Sequence, residues 1–411
     1  MLDLDRCKRI EGALGLSPRR RPKSARLPWL GVALALGAAC APASPVAGPS
    51  ELARTEPSAA MPTDPPLPAV TKPSLAQRLE SPTRSLAALG TGASVTVRRA
   101  ELETVVTAGT ERPEGPPVSG ATRFNVASVS KLLTAARITA LAYEQRLKLD
   151  DSLRSQLPGV RLPDEAGVDR SGDVTLDMLL RHLGGLPHQP PDLDPSRIGS
   201  SWVDPGLLRR LSDAWTVPLV AAPGTQRYSN LGYALLGAII ERSAGASYAD
   251  AMSGYLAAVG MPNASFVPRE AEHMAWGIVT RDGARATNPP GWYLSRYSMP
   301  FTGLWTSTPE LARFGQGLGR AVGDARSPLH AMVTGSARGH GRGPIHGVID
   351  GQPTLEHDGG GPGFLALLVV LPGLDTSLAV ACNCNGDDRD VAESARPFLR
   401  EILAAALGAE G

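Results

Sequence analysis

Residues 128–142 read Ser-Val-Ser-Lys-Leu-Leu-Thr-Ala-Ala-Arg-Ile-Thr-Ala-Leu-Ala. Leu132, Leu133, Ala135, Ile138, Leu141 and Ala142 recur at the spacing that lines one helix face, so a helix is predicted from about Ser128 to Leu147. Ser128 and Lys131 lie three apart at its N-terminal end. A hydroxyl there sits among backbone N–H groups and their positive potential, with the amine one turn further along beside it. A serine hydroxyl is a weak nucleophile until a neighbour takes its proton, which a desolvated lysine of depressed pKa can do. The same pair can also be an N-cap serine followed by a surface lysine. Lysine is scarce in this chain, five among 41 basic residues, which makes one in this place informative.

Outward from this helix the pattern changes on both sides. Residues 92–97 and 103–108 alternate across a short polar turn, which predicts an antiparallel hairpin. Residues 364–371 and 376–382 are apolar strands joined by Pro372-Gly373-Leu374-Asp375, and 389–407 predicts a closing helix. Between these ends, 174–183, 206–214 and 230–243 are amphipathic segments broken by Pro and Gly. Strands at both ends with helices between them imply an α+β fold: an antiparallel sheet built from the two termini, flanked by helices, with an inserted all-helical part. The globular domain is expected over 74–411, with 74–125 and 300–411 forming the α/β part and 126–299 the mainly helical part.

The chain has 411 residues, 42% hydrophobic and 20% charged, enough for a sizeable core. A net charge of +1 supplies no global field for a polyphosphate, so nucleic acid is not an expected partner. The first forty residues have a different character. Arg19, Arg20, Arg21, Lys23 and Arg26 precede the uncharged run 27–39 and Cys40, the order of an export signal over 1–40. Leu36-Gly37-Ala38-Ala39-Cys40 resembles a bacterial lipobox, with Gly37 where Leu is usual. That likeness implies lipidation at Cys40, a membrane anchor through an N-terminal lipid, and a place in the cell envelope. Residues 41–73, rich in Pro, Ala and Ser, predict a disordered tether. Cys7, Cys40, Cys382 and Cys384 are too few and scattered for a disulfide framework, and the last two, two apart on a strand, are expected as buried apolar residues.

Two further stretches carry chemistry. Tyr228-Ser229-Asn230 is a loop leading into a helix. In an extended loop, positions i and i+2 face the same way. The Tyr228 phenol can then shuttle protons while the Asn230 carboxamide orients a substrate carbonyl and holds the lysine. Read singly, Tyr228 is a packing residue and Asn230 a helix cap. His357-Asp358-Gly359-Gly360-Gly361-Pro362-Gly363 stands directly before the strand at 364. Its glycines let a substrate approach the strand edge, where the N–H of Gly360 could complete an oxyanion hole with that of Ser128. His-x-Gly also occurs at His182, so position rather than spelling singles out His357. Read singly, this stretch is a Gly-rich turn with an idle histidine.

In the order Ser-x-x-Lys, Tyr-x-Asn, His-x-Gly, the three resemble the serine β-lactamase and penicillin-binding-protein superfamily. The branch is the class C-like one, which also holds D-alanyl-D-alanine carboxypeptidases, D-aminopeptidases and esterases. Residues 122–124, 179–187, 228–237, 307–314 and 360–372 resemble it too, so the likeness covers about 74–411. It implies a β-lactamase/D,D-peptidase-like fold and a serine hydrolase working through an acyl-enzyme, with no metal or cofactor. By the same likeness Ser128 is the nucleophile, Lys131 its activating partner and Tyr228 the proton relay. Asn230, His357, Gly359 and Gly360 would then contact the substrate, a small-molecule or peptide acyl donor. The histidines form no His-x-x-x-His pattern and there is no Gly-x-Ser-x-Gly, which argues against zinc hydrolysis and an α/β-hydrolase.

His357 stands where β-lactamases of this branch have the lysine of Lys-Thr-Gly, and Asp358 replaces the threonine. A cation and a hydroxyl for a carboxylate give way to a neutral imidazole and a negative charge. Weak β-lactam turnover is expected, with ester or amide hydrolysis of another acyl donor favoured. A D,D-peptidase, D-amino acid amidase or β-lactamase acting on peptidoglycan-like or β-lactam substrates, and a catalytically idle penicillin-binding or sensing lipoprotein, are the alternatives.

Overall fold

Ser74 opens helix α1, Leu75–Ala88: its hydroxyl accepts from the Gln77 N–H while the Gln77 side chain accepts from the Ser74 N–H. This reciprocal cap satisfies two otherwise orphaned donors and starts a helix that apolar spacing alone does not predict. In the computed structural model the described residues are 73–189, 215–268, 273–281, 284–293, 296–335, 338–386 and 388–408. The expected export signal, Cys40, nearly all of the tether and the amphipathic segment 206–214 lie outside them.

After α1 come β1, Gly92–Arg99, and β2, Leu102–Gly109. Between β2 and the next strand of the sheet the chain forms α2 (Ser130–Tyr143), α3 (Leu176–Leu180), α4 (Asn230–Ala244), α5 (Tyr248–Ala258) and α6 (Thr308–Ala321), the last of them beyond the expected helical part. The chain then returns as β3 (Gly339–His340), β4 (Ile345–Ile349), β5 (Gln352–Gly361), β6 (Phe364–Leu371), β7 (Thr376–Cys382) and α7 (Arg389–Leu407). One seven-stranded sheet runs β2-β1-β7-β6-β5-β4-β3, and every pairing in it is antiparallel. The β1–β7 pairing, Ala93 opposite Cys382 through Arg99 opposite Thr376, joins the two ends of the domain. This is the α+β architecture expected.

Strand alternation gives the sheet two faces. Val95, Val97, Leu365, Val369, Leu378 and Val380 pack with Leu79 and Leu86 of α1 and Leu399 and Ile402 of α7. The intervening residues Ala366, Leu368, Val370 and Ala379 face the inserted helices, together with Leu132, Ile138, Leu235 and Phe314. Helix α2 is buried nearly all round, as a helix at the centre of a large core must be.

Local geometry modifies several expectations. The segment expected as a helix from Ser128 to Leu147 begins as a 3₁₀ turn, Ala127–Val129, and α2 ends at Tyr143, where Gln145 turns left-handed at φ 58°. The segment 174–183 shortens to α3: Thr175 caps its start through the Met178 N–H, and His182 ends it at φ 59°. Strand β7 stops at Cys382, so Cys384 lies past its end, yet both thiols are fully buried in the core under the terminal helices.

Candidate active site

The site begins with how Ser128 is held. Phe124–Asn125 pairs with Trp305–Thr306, and the Asn125 side chain spans the turn, Oδ1 accepting from Ala127 N at 3.0 Å and Nδ2 donating to Thr302 O at 2.9 Å. Ala127 is left-handed at φ 44°, a conformation that costs a residue with a Cβ about 1–3 kcal/mol and persists only when its surroundings enforce it. Of the two nearby serines, Ser130 is structural: its buried Oγ donates to Ala127 O at 2.6 Å and accepts from Leu304 N at 3.0 Å. Ser128 instead turns its hydroxyl toward Lys131 and Tyr228.

The structure brings those three together. Lys131 Nζ and Tyr228 OH each lie 3.0 Å from Ser128 Oγ. Lys131 Nζ also donates to Phe301 O at 3.1 Å and faces the rings of Tyr228, Phe301 and Tyr233 at 4.8, 5.4 and 5.8 Å. Lys131 is wholly buried, and among the described residues the only other buried Lys, Arg or His side chains are His182 and His357. Burial pushes the Lys131 amine well below its ordinary pKa, against the pull of the Asp358 carboxylate. It pushes the Tyr228 phenol upward, with Asp358 reinforcing and the bond to Ser128 opposing. Both shifts favour the neutral forms, an amine able to accept a proton and a phenol able to donate one.

Residues 182–188 position the tyrosine. His182 O accepts from Arg227 N at 2.7 Å and His182 Nδ1 from Ser229 N at 3.1 Å. Pro187 O accepts from Ser229 Oγ at 2.7 Å, and His188 O from Asn230 N at 3.0 Å. Gly185 permits the close approach: at φ 68°, a Cβ on it would sit 2.2 Å from Ala221 O. Ser229, not Asn230, caps α4, its hydroxyl accepting from Gly232 N at 3.0 Å. Nor does Asn230 hold the lysine as expected. Its Nδ2 is 3.4 Å from His188 Nε2, its Oδ1 is buried with no partner among the described residues, and the Phe301 carbonyl takes the lysine instead.

Strand β5 closes the other side. Its pairing with β4 ends at Glu356, so beyond that residue β5 pairs only with β6, opposite Leu368 at His357 and Phe364 at Gly361. Gly359 packs on the turn bearing Ser128: a Cβ there would lie 2.3 Å from Val126 O and 3.1 Å from Ser128 N. Glycine is thus required for the strand edge and the helix start to meet. On Gly360 a Cβ would instead face Gly386, on the other side of the strand. His357 points to the insertion face, opposite Leu368; its Nδ1 donates to Asp358 O at 2.7 Å, which leaves a buried Nε2 lone pair with no partner among the described residues. Burial first, and the nearby Lys131 second, lower its pKa to about 3. Asp358 leaves the strand on the opposite side, across from Leu367, half-buried, with its pKa raised to about 6 by burial.

Sequence reasoning missed three imidazoles around Tyr228. The rings of His182, His188 and His340 lie 4.4, 5.8 and 5.8 Å from the phenol ring. His182 was legible only as a second His-x-Gly, while His340 comes from β3, far along the chain, with no local pattern to mark it. Among the described residues no cluster of His, Cys, Asp or Glu could hold a metal ion.

A sequence model of the Beta-lactamase family matches residues 76–399. The probable fimbrial assembly protein FimD, serogroup H1, of Dichelobacter nodosus is 34% identical over 149 residues, 34% of this chain and 34% of that protein. Esterase EstB of Burkholderia gladioli is 31% identical over 176 residues, 40% of this chain and 44% of the esterase. The chain thus spans less than half the length of these curated relatives. A solved class C beta lactamase from Rhodobacter sphaeroides superposes with a TM-score of 0.61 over 79% of this chain and 100% of that one at 22% identity, a likeness of fold.

Proposed function

The chain belongs to the Beta-lactamase family, and from that premise we propose that it is a serine hydrolase acting through an acyl-enzyme on an ester or amide without a carboxylate at the strand edge. One observation carries this reading: Ser128 Oγ sits 3.0 Å from both a buried amine and a half-buried phenol. Neutral Lys131 takes the Ser128 proton as Oγ attacks the acyl carbon. The carbonyl oxygen gathers charge beside the Ser128 N–H and the β5 edge, where backbone dipoles stabilise it. Tyr228 donates to the leaving group and is reprotonated through Lys131. Water then cleaves the acyl-Ser128 ester with the roles reversed.

The substrate class follows from what faces the hydroxyl. His357 offers a lone pair and Asn230 a carbonyl oxygen without a partner among the described residues, both acceptors, and Asp358, though on the other side of the strand, adds negative charge that Lys131 and Tyr228 sense above pH of about 6. Such a site suits an uncharged acyl donor bearing N–H or O–H groups and disfavours a penicillin carboxylate. The esterase among the relatives agrees with this. An amino-acid amidase is the second reading, supported by the same Asp358, which would attract a substrate ammonium. The test is p-nitrophenyl acetate, an amino-acid p-nitroanilide and a fluorescent penicillin, each on wild type and Ser128→Ala. Acetate turnover lost in the variant supports the esterase; anilide turnover preferred and lost supports the amidase. Stable penicillin labelling without turnover supports a penicillin-binding or sensing protein, and no signal from a folded protein overturns the hydrolase reading. Export and lipid attachment at Cys40 are a separate proposal, supported by the basic residues 19–26 and the apolar run that follows. Metabolic palmitate labelling, expected in wild type and absent in Cys40→Ala, tests it.

A further inference from the structure

The structure assigns His182 as a positioning residue that fixes the Tyr228 phenol on Ser128, a role that rests on the hydrolase reading for its catalytic meaning. His182 grips the loop on both sides of the tyrosine. Its carbonyl takes the N–H of Arg227 and its Nδ1 takes the N–H of Ser229, at 2.7 and 3.1 Å. Between these two anchors its ring lies 4.4 Å from the Tyr228 ring and 5.2 Å from that of Tyr233, whose hydroxyl donates to Leu180 O at 2.9 Å. The Tyr228 backbone is thereby held at both neighbours, and its ring on one face, by one residue.

Three features show that the arrangement is imposed. His182 is 3% exposed, and it stands at φ 59°, which a histidine adopts only at a cost. An Nδ1 that accepts must carry its proton on Nε2, and Nε2 is buried with no partner among the described residues. A polar atom left so, on a strained backbone, fits a residue retained for its other ring nitrogen. Burial first, and then the nearby His340, Lys131, His357 and His188, disfavour its protonation. His182 therefore stays the neutral acceptor that the Ser229 N–H requires.

The test compares His182→Asn with His182→Gly. Both residues tolerate the left-handed backbone, but only asparagine replaces the Nδ1 acceptor, with Oδ1. For p-nitrophenyl acetate we expect kcat of His182→Gly to fall about 10- to 100-fold, the scale of a displaced catalytic group, with KM within about threefold of wild type. His182→Asn should recover most of that loss. Hydrogen exchange at the Ser229 amide should speed about tenfold or more in His182→Gly and return toward wild type in His182→Asn, a readout that does not depend on the substrate chosen. Should His182→Gly not fold, His182→Gln, whose amide oxygen falls at the Nε2 position, serves as the loss variant. Ser229 exchange unchanged across the variants overturns the assignment, as does equal kcat in the asparagine and glycine forms. A wild type that hydrolyses nothing defeats the hydrolase reading, while the exchange result still decides whether His182 holds this loop.

Discussion

The two faces of the sheet are built to different ends. Against α1 and α7, Leu79, Leu86, Val95, Leu365, Val380, Leu399 and Ile402 form an apolar layer. On the side of the inserted helices Lys131, His182 and His357 are buried. Burying a titratable group without an opposite charge opposes folding, and the cost appears as displaced pKa values: Lys131 well below its ordinary range and His357 at about 3. One face supplies stability that the other spends on a neutral amine beside a hydroxyl. A residue on the first should therefore change folding without chemistry, and a residue on the second the reverse.

The largest effect expected is from Ser128→Ala, which should lower p-nitrophenyl ester turnover by about 10⁴-fold or more while leaving the thermal midpoint within about 2 °C. A variant that keeps a tenth of the activity would show that the nucleophile lies elsewhere. Lys131→Met should cost about 10³-fold in kcat, for lack of a base, yet leave stability equal or raised by about 1 kcal/mol, since an apolar stem replaces a desolvated amine. The sign of the pH dependence sharpens this. The folded-state pKa of Lys131 lies below its ordinary 10.5, so between the two the unfolded chain binds the extra proton and wild-type stability rises with pH. In Lys131→Met that slope should vanish from denaturant midpoints measured across the window.

Leu86→Ala breaks the comparison from the other side. Leu86 is fully buried under the terminal helices, and truncation should cost about 2–5 kcal/mol while kcat at 25 °C stays within about twofold of wild type. A collapse of kcat in the still-folded variant would show that the two faces are not independent. The smallest effect concerns Asp358. With its pKa near 6, it is neutral below that pH and anionic above. The rate ratio of an anionic to a neutral p-nitrophenyl ester should rise up to about tenfold as pH falls through 6 and stay flat in Asp358→Asn. A ratio flat in wild type would remove Asp358 from substrate selection.

Much of the fold was legible because its signals are local. The 92–109 hairpin, the strands at 364–371 and 376–382 and the last helix follow from alternation and helical spacing. Helix α1 carries a local signal as well, the capping box Ser74-x-x-Gln77 directly after the Pro-rich stretch. The positions of Ser128, Lys131 and Tyr228 could be named from two short motifs, Ser-x-x-Lys and Tyr-x-Asn. Their partners could not. Whether Asn230 reaches Lys131 or His188 depends on Phe301, 71 residues further on, and His340 reaches Tyr228 only because β3 forms the far edge of the sheet. The left-handed Ala127 has no signature either, since alanine is the wrong residue for that conformation and only the surrounding hydrogen bonds enforce it.

The most direct measurement is to mix the folded protein with p-nitrophenyl acetate, quench in acid within the first turnovers, and map the acetyl group by peptide mass spectrometry. A serine made nucleophilic by a buried neutral amine should carry that group on Ser128, with none trapped in Lys131→Met. Acetylation at another residue, or p-nitrophenol released by Ser128→Ala at the wild-type rate, would contradict the account.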